Sequence, residues 1–268
     1  MKGSAFLTDA LLDPATSHSE EPSDSPCLRI LKTKSYFDYL YAPGNEYQSV
    51  RFQVLMDHAA SSDKSTVISG GFPWETLPEG TKIVDVGGGV GTACQEIMKT
   101  NPLLKFTVQD LPSVIEQTNA VSSSTLMSSL ERVYLLTVGS QYWNQYEPRA
   151  IEDGRVTIQP HDFFAPQPVK DADIFLLRCI LHDWSNSKAI EILKRLREVA
   201  VPGKTRVMVM DAVIQHACPV DREQIGREAN IAFEGLDVSE VPAGLLPNLG
   251  RAEARKYLLD LLYDLPLR

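Results

Sequence analysis

The sequence predicts an α/β protein built on a doubly wound, mostly parallel sheet and preceded by a short helical N-terminal segment. Three observations carry that expectation. Short apolar runs of strand length alternate with segments of helical period between residues 83 and 211. The first run, Ile83–Val86, contains Asp85 and leads into the glycine-rich turn Gly87-Gly88-Gly89-Val90-Gly91. The second run, Phe106–Gln109, closes on another acid, Asp110. Strands separated by helices pair in parallel, because a parallel neighbour can be reached only by a crossover. Acids and glycines at the carboxyl ends of such strands lie where open sheets bind their ligands.

The elements follow in order. Residues 13–26 (DPATSHSEEPSDSP) are polar, proline-bearing and aperiodic, so residues 1–34 are expected to form a flexible N-terminal arm or linker. Residues 35–80 are expected to be a helical segment, and 81–268 the sheet domain. Ile83–Val86 and Phe106–Gln109 are strands one and two. The serine-rich patch Val121–Leu130 opens a long interruption, and Gly139–Pro148 reads as a surface loop. The stretch from about 121 to 155 exceeds the usual connection of an α/β unit. Val156–Gln159 is the third strand, and Asp173–Leu181 a buried fourth strand with its exit. Ile190, Leu193, Leu196 and Ala200 recur at helical steps with Lys and Arg between them. Ser185 or Asn186 can cap that helix, and Pro202-Gly203 ends it. Arg206–Asp211 is the fifth strand.

Composition removes several classes of function. A chain of 268 residues with 43% hydrophobic content can bury a full core. Its formal charge of −9 and pI near 5.1 argue against nucleic acid, which needs a concentrated basic face. Cys27, Cys94, Cys179 and Cys218 show no C-x-x-C spacing, and no secretory signal is read, so reduced cysteines and a cytoplasmic location are expected. No apolar run is long enough to span a membrane.

The glycine spacing bears on the ligand. Dinucleotide sites read G-x-G-x-x-G, with a third glycine packing helix on strand. Here the turn reads D-x-G-x-G-x-G from Asp85 to Gly91, with Thr92 after it. That pattern resembles S-adenosylmethionine sites, where Asp85 and the loop backbone would serve the amino-acid end of the ligand; a tight structural turn is the alternative. Asp110 can accept hydrogen bonds from both ribose hydroxyls. Strand three ends in His161-Asp162-Phe163-Phe164, an acceptor beside an aromatic face that would suit adenine, or else an Asp turn before core phenylalanines. Strand four exits through Arg178 to His182-Asp183-Trp184. A histidine there is poised as a general base, its ordinary pKa lying near neutrality, and Asp183 could stabilise its charged form. The alternative is a His-Asp capping pair. Asp211 flanks His182 or caps its own strand.

VDVGGGVG (84–91), QDLP (109–112), HDFF (161–164) and LLRCILHDWSNSKAIEILK (176–194) together resemble the S-adenosylmethionine-dependent small-molecule O-methyltransferases of plant type used in fungal secondary metabolism. YFDYL (36–40), GFPWETL (71–77) and PNLGRA (247–252) extend the likeness. The resemblance implies the Rossmann-like class I methyltransferase fold. It implies Asp85, Gly87, Gly88 and Gly89 against the methionine part of the cofactor and Asp110, with Leu111 beside it, at the ribose. Asp162 and Phe163 would hold the adenine, Arg178 would contact the cofactor site, and His182 would accept the proton of a small-molecule hydroxyl; Asp211, placed by the residues alone, is the second catalytic candidate. Family members carry a dimerising N-terminal helical domain. They also continue beyond the helix represented by Tyr257–Leu265 into a further helix and two closing strands, which supply a second acid beside the histidine. The present sequence ends at Arg268, so the sheet is expected to lack those strands and to expose the edge of strand five. The expected partners are a small-molecule acceptor and a homodimer or partner chain completing the pocket, with no metal. The alternatives are a methyltransferase-like protein that binds S-adenosylmethionine without transferring methyl, a pericyclase or dehydratase type, or an accessory subunit.

Overall fold

The computed structural model describes residues 6–19, 21–33, 35–49, 51, 52, 55, 68, 70–115, 143, 147 and 149–211. Three short helices lead the chain: α1 (Leu7–Leu12), α2 (Pro26–Leu31) and α3 (Tyr36–Leu40). Serine caps set the starts of α2 and α3. Ser25 accepts the Leu28 N–H and precedes a proline suited to a first helical position, and Ser35 accepts the Asp38 N–H. Within the arm, Arg29 pairs with Asp13 at 3.3 Å and Ser19 donates to Asp24 at 2.6 Å.

The sheet follows: β1 (Lys82–Val86), β2 (Lys105–Asp110), β3 (Val156–Pro160), β4 (Ile174–Arg178) and β5 (Arg206–Met210). Its order is β3-β2-β1-β4-β5, and every pairing is parallel. α4 (Thr92–Thr100) connects β1 to β2, α5 (Arg149–Glu152) precedes β3, and α6 (Asn186–Val199) connects β4 to β5. The order runs outward from β1 in both directions, so the crevice between the exits of β1 and β4 is the topological switch point.

Alternation along the strands builds a core on each face. Ile83, Phe106, Val108, Ile174 and Leu176 pack with Ile97 of α4 and Trp143 on one side. Val84, Val86, Phe175 and Leu177 meet Ile192 and Leu196 of α6 on the other. β4 is buried along Ile174–Leu177, as expected of a parallel strand covered on both faces. β5 is the sheet edge among the described residues, with Val207 43% and Val209 47% exposed.

Two sequence expectations need correction. Ser185 caps α6 by accepting the Lys188 N–H, and Leu193 and Leu196 face the core as expected, but Ile190 does not. Ile192 and Leu196 are buried with Leu193 and Val199 beside them, whereas Ile190 is 51% exposed. Leu193 and Leu196 fit the 3.6 period with either Ile190 or Ile192, and it is Ile192 that joins the cluster packed by Phe164 and Trp184. Trp143, read as part of a surface loop, is fully buried. Its Nε1–H donates to the Val90 carbonyl at 3.0 Å, so an indole from the long connection fastens the glycine-rich turn. The Val121–Leu130 patch, PNLGRA and Tyr257–Leu265 lie outside the described residues. No helix among the described residues is long and apolar enough to cross a membrane.

Candidate active site

The exits of all five strands lie along one edge of the sheet. β1 delivers Asp85 and the glycine turn, whose Gly87, Gly89 and Gly91 take φ values of +71°, +59° and +84°. At Gly91 the conformation is matched by crowding: a Cβ would lie 2.9 Å from Val108 Cγ2 and 3.0 Å from the Trp143 ring. At Gly89 a Cβ would meet nothing within 4 Å, so the backbone there faces open space.

β2 delivers Asp110. One carboxylate oxygen accepts the Gly89 N–H at 2.7 Å and the other the Leu111 N–H at 2.7 Å. The carboxylate is thereby fixed across the glycine turn, and each oxygen keeps a second acceptor site for a ligand. Burial pushes its pKa up to about 6, although both N–H bonds favour the charged form. Asp85 is buried too, and burial pushes it up to about 6 against a Cys94 thiol bond at 3.2 Å and the Arg178 charge. Arg178, at the end of β4, thus acts on the acid at the end of β1.

β3 leads into the loop carrying Asp162 and Phe163. Asp162 accepts the Phe164 N–H at 2.9 Å through Oδ1, an Asp turn that occupies one of its two oxygens. Phe163, Phe164 and Trp184 pack edge to face at centroid distances of 4.8–5.7 Å. A Cβ on Gly87 would lie 3.5 Å from the Phe163 ring, which places that ring beside the glycine turn.

The exits of β4 and β5 bring His182 and Asp211 together. Asp211 Oδ1 bonds the His182 Nδ1, and Oδ2 accepts the His182 backbone N–H at 3.3 Å. Both alternatives for Asp211 thus reduce to one: it flanks the histidine. Nε2 lies 3.1 Å from Asp183 Oδ1, yet that buried oxygen has no properly formed hydrogen bond. Burial lowers the proton affinity of His182, but the two carboxylates outweigh it and push its pKa up to about 10. The expected help from Asp183 is thus joined by Asp211, and together the two acids favour the protonated ring. Burial also raises Asp183, with His182 opposing that effect. No cluster suited to a metal ion occurs among the described residues.

An ordered carboxylate across an open glycine turn, an acceptor beside an aromatic ring and excess buried negative charge fit a cationic adenosyl ligand better than a pyrophosphate. Sequence reasoning missed three contributors: Trp143, Cys94, and the amide group of Gln109, which bonds Gln159 and Gln167. Only the position of Gln109 next to Asp110 hinted at the last.

The chain matches the model of the O-methyltransferase domain family over residues 31–134 and 137–235. It is 33% identical over 265 residues to 4-O-methyltransferase 1 of Phanerochaete chrysosporium, covering 98% of this chain and 50% of that protein. It is 32% identical over 263 residues to the O-methyltransferase xanE of Aspergillus fumigatus, covering 98% and 53%. The chain spans about half the length of these curated relatives. Among solved structures it resembles the O-methyltransferase NcsB1 from neocarzinostatin biosynthesis, in complex with S-adenosyl-L-homocysteine and 1,4-dihydroxy-2-naphthoic acid. That match has a TM-score of 0.55 and 23% identity, over 79% of this chain and 52% of that one. Human N-acetylserotonin methyltransferase in complex with S-adenosylmethionine gives a TM-score of 0.53 and 20% identity, over 80% and 50%. The two structures carry the same fold; the family match, with relatives 32–33% identical over 98% of the sequence, shows that this chain belongs to the O-methyltransferase domain family.

Proposed function

We propose that the chain is the catalytic region of an S-adenosylmethionine-dependent O-methyltransferase that methylates a hydroxyl of a small molecule in secondary metabolism. The observation that carries this reading is the pairing of two devices on one sheet edge: Asp110 braced by the Gly89 and Leu111 N–H groups, and His182 braced by Asp211. In this reading residues from 81 onward form the cofactor domain, and residues 35–80 belong to the substrate side, where a second copy or partner chain completes the pocket. Asp85 and Gly87–Gly89 face the methionine end, Asp110 and Leu111 the ribose, Asp162 and Phe163 the adenine, and Arg178 supports Asp85. The bound cofactor supplies a methyl group on a positively charged sulfur, open to in-line displacement by oxygen.

His182 has two tasks. Asp211 at Nδ1 fixes the ring and directs Nε2 away from that acid. Nε2 must then exchange its poor contact with Asp183 for the acceptor hydroxyl and shed its proton before it can accept another. A cation bound in the neighbouring cleft lowers the proton affinity of the ring and favours that neutral state. Alignment in a closed pocket supplies much of the remaining rate.

The test is calorimetric titration of the chain with S-adenosylmethionine and S-adenosylhomocysteine, followed by an acceptor screen read by mass spectrometry. One-to-one binding is expected, and His182→Ala should keep that affinity within about threefold while losing roughly 10²-fold or more of the transfer rate. A folded chain that binds neither compound refutes the reading.

A further inference from the structure

We propose that Gln109 and Gln167 form a reciprocal amide clamp that sets adenine specificity by holding the loop of Asp162 and Phe163 in register with Asp110. The inference rests on the cofactor placement above. Gln109 belongs to β2 and directly precedes Asp110, while Gln167 lies at the middle of the loop that joins β3 to β4. Gln109 Nε2 donates to Gln167 Oε1 at 2.8 Å, and Gln167 Nε2 donates back to Gln109 Oε1 at 2.9 Å. Both residues are buried, 1% and 3% exposed, so each amide has given up water for its partner. The second Gln109 proton goes to Gln159 Oε1 at 2.7 Å, and Gln167 Oε1 also accepts the Val169 N–H at 3.1 Å.

The clamp sits at a junction. The Gln109 carbonyl accepts the Gly88 N–H at 2.9 Å, so one residue ties the glycine turn through its backbone and the adenine loop through its side chain. The loop has two other anchors: His161 N–H donates to the Asp110 carbonyl at 2.8 Å, and Arg195 Nε donates to the Phe164 carbonyl at 2.8 Å. These hold the loop on the near side of Phe163 and just past it, and the amide pair fixes it three residues further on. Asp162 uses Oδ1 on the Phe164 N–H, and the fixed loop orients its other oxygen. Positioning of this kind shows in discrimination between ligands, because a loop that wanders cannot tell a donor from an acceptor at the adenine 6-position.

The test compares calorimetric affinities for S-adenosylhomocysteine and S-inosylhomocysteine, in which the adenine amino group is replaced by a carbonyl oxygen. The wild-type chain should prefer the adenosyl compound by tenfold or more. Gln167→Leu should cut that preference to threefold or less, and so should Gln167→Glu, which keeps the side-chain size but loses the donor to Gln109. Gln159→Ala, which leaves the reciprocal pair intact, should keep the wild-type preference. The ratio is insensitive to a general loss of folded protein, and the Glu variant answers if the Leu variant does not fold. An unchanged preference in the Gln167 variants overturns the clamp alone. No preference in the wild type overturns the adenine placement itself, and the clamp with it.

Discussion

Asp211→Asn isolates the charge that holds His182. Asn keeps the size of the side chain and offers a neutral carbonyl to the ring, so the change is one of charge rather than packing. A hydrogen bond to a charged group is worth about 1.5–3 kcal/mol, and a pKa unit corresponds to about 1.36 kcal/mol, so His182 should fall by about one to two units. The wild-type starting point is about 10. The His182 side chain is 29% exposed, and water screening places the result toward the lower end of that range. Asp183, left in place at 3.1 Å, keeps the variant above an ordinary histidine.

Stability carries the same signature. The folded pKa of His182 is raised above its usual 6.5, so its contribution is full below pH 6.5 and is lost as pH rises through about 10. Asp211→Asn should therefore cost about 1–3 kcal/mol at pH 6, with the gap from wild type closing toward pH 10. Ring ¹⁵N chemical shifts followed through a pH titration read the first effect, and urea unfolding at pH 6 and pH 10 reads the second. A wild-type His182 that titrates near 6.5, or a variant that titrates with it, refutes the two-acid clasp.

Two further outcomes follow from the cofactor half. Asp110 must be ionised to accept from two hydroxyls, and burial lifts it to about 6, so affinity for S-adenosylhomocysteine should fall as pH drops through 6. Asp110→Asn should weaken binding about tenfold at pH 7.5 and remove its share of that pH dependence, leaving the share of Asp85; calorimetry at pH 5.5 and 7.5 decides, and a flat wild-type profile contradicts the assignment. In the glycine turn, Gly91→Ala combines a left-handed backbone with contacts at 2.9 and 3.0 Å and should cost about 2–4 kcal/mol. Gly89→Ala meets open space and should cost only about 1–2 kcal/mol, so equal losses on chemical denaturation would remove the packing argument.

What the sequence made legible was whatever a local pattern or a single neighbour determines. The five strands, the Ser185 cap and the acids at the exits of β1 and β2 fall in this group, since period, capping chemistry and strand ends are local properties. The meeting of His182 with Asp211 was half legible. Each stands just past a strand, but only the β4–β5 pairing, with Arg178 opposite Met210, puts those two exits side by side. The rise of the His182 pKa was legible only as far as the neighbouring Asp183, because its full extent depends on a second carboxylate, Asp211, converging on the same ring. Ile190 was misplaced because it and Ile192 both fit a helical step from Leu193 or Leu196, and only the tertiary packing decides which one is buried. Trp143 and Gln167 escaped for the opposite reason: a polar loop conceals one buried indole, and a buried amide resembles any surface glutamine until its partner is known.

The charge at the sheet edge also bears on what kind of cofactor the site can accept. Asp85, Asp110, Asp183 and Asp211 come from the ends of four strands or their exits, and burial lifts the first three above the ordinary carboxylate range. Among the described residues, Arg178 is the cation that acts on Asp85 and His182 the one that acts on Asp183, whereas Asp110 is offset by backbone N–H groups alone. A pyrophosphate brought into that crevice would add negative charge to carboxylates that already resist ionising, and the bonds Gly89 gives to Asp110 are ones a phosphate-binding turn would keep for its ligand. A ligand carrying positive charge and a pair of ribose hydroxyls meets the opposite situation: each carboxylate gains a partner, and ionisation becomes easier as binding proceeds. Sheet geometry alone admits both cofactors, so the placement of the acids is what favours the sulfonium.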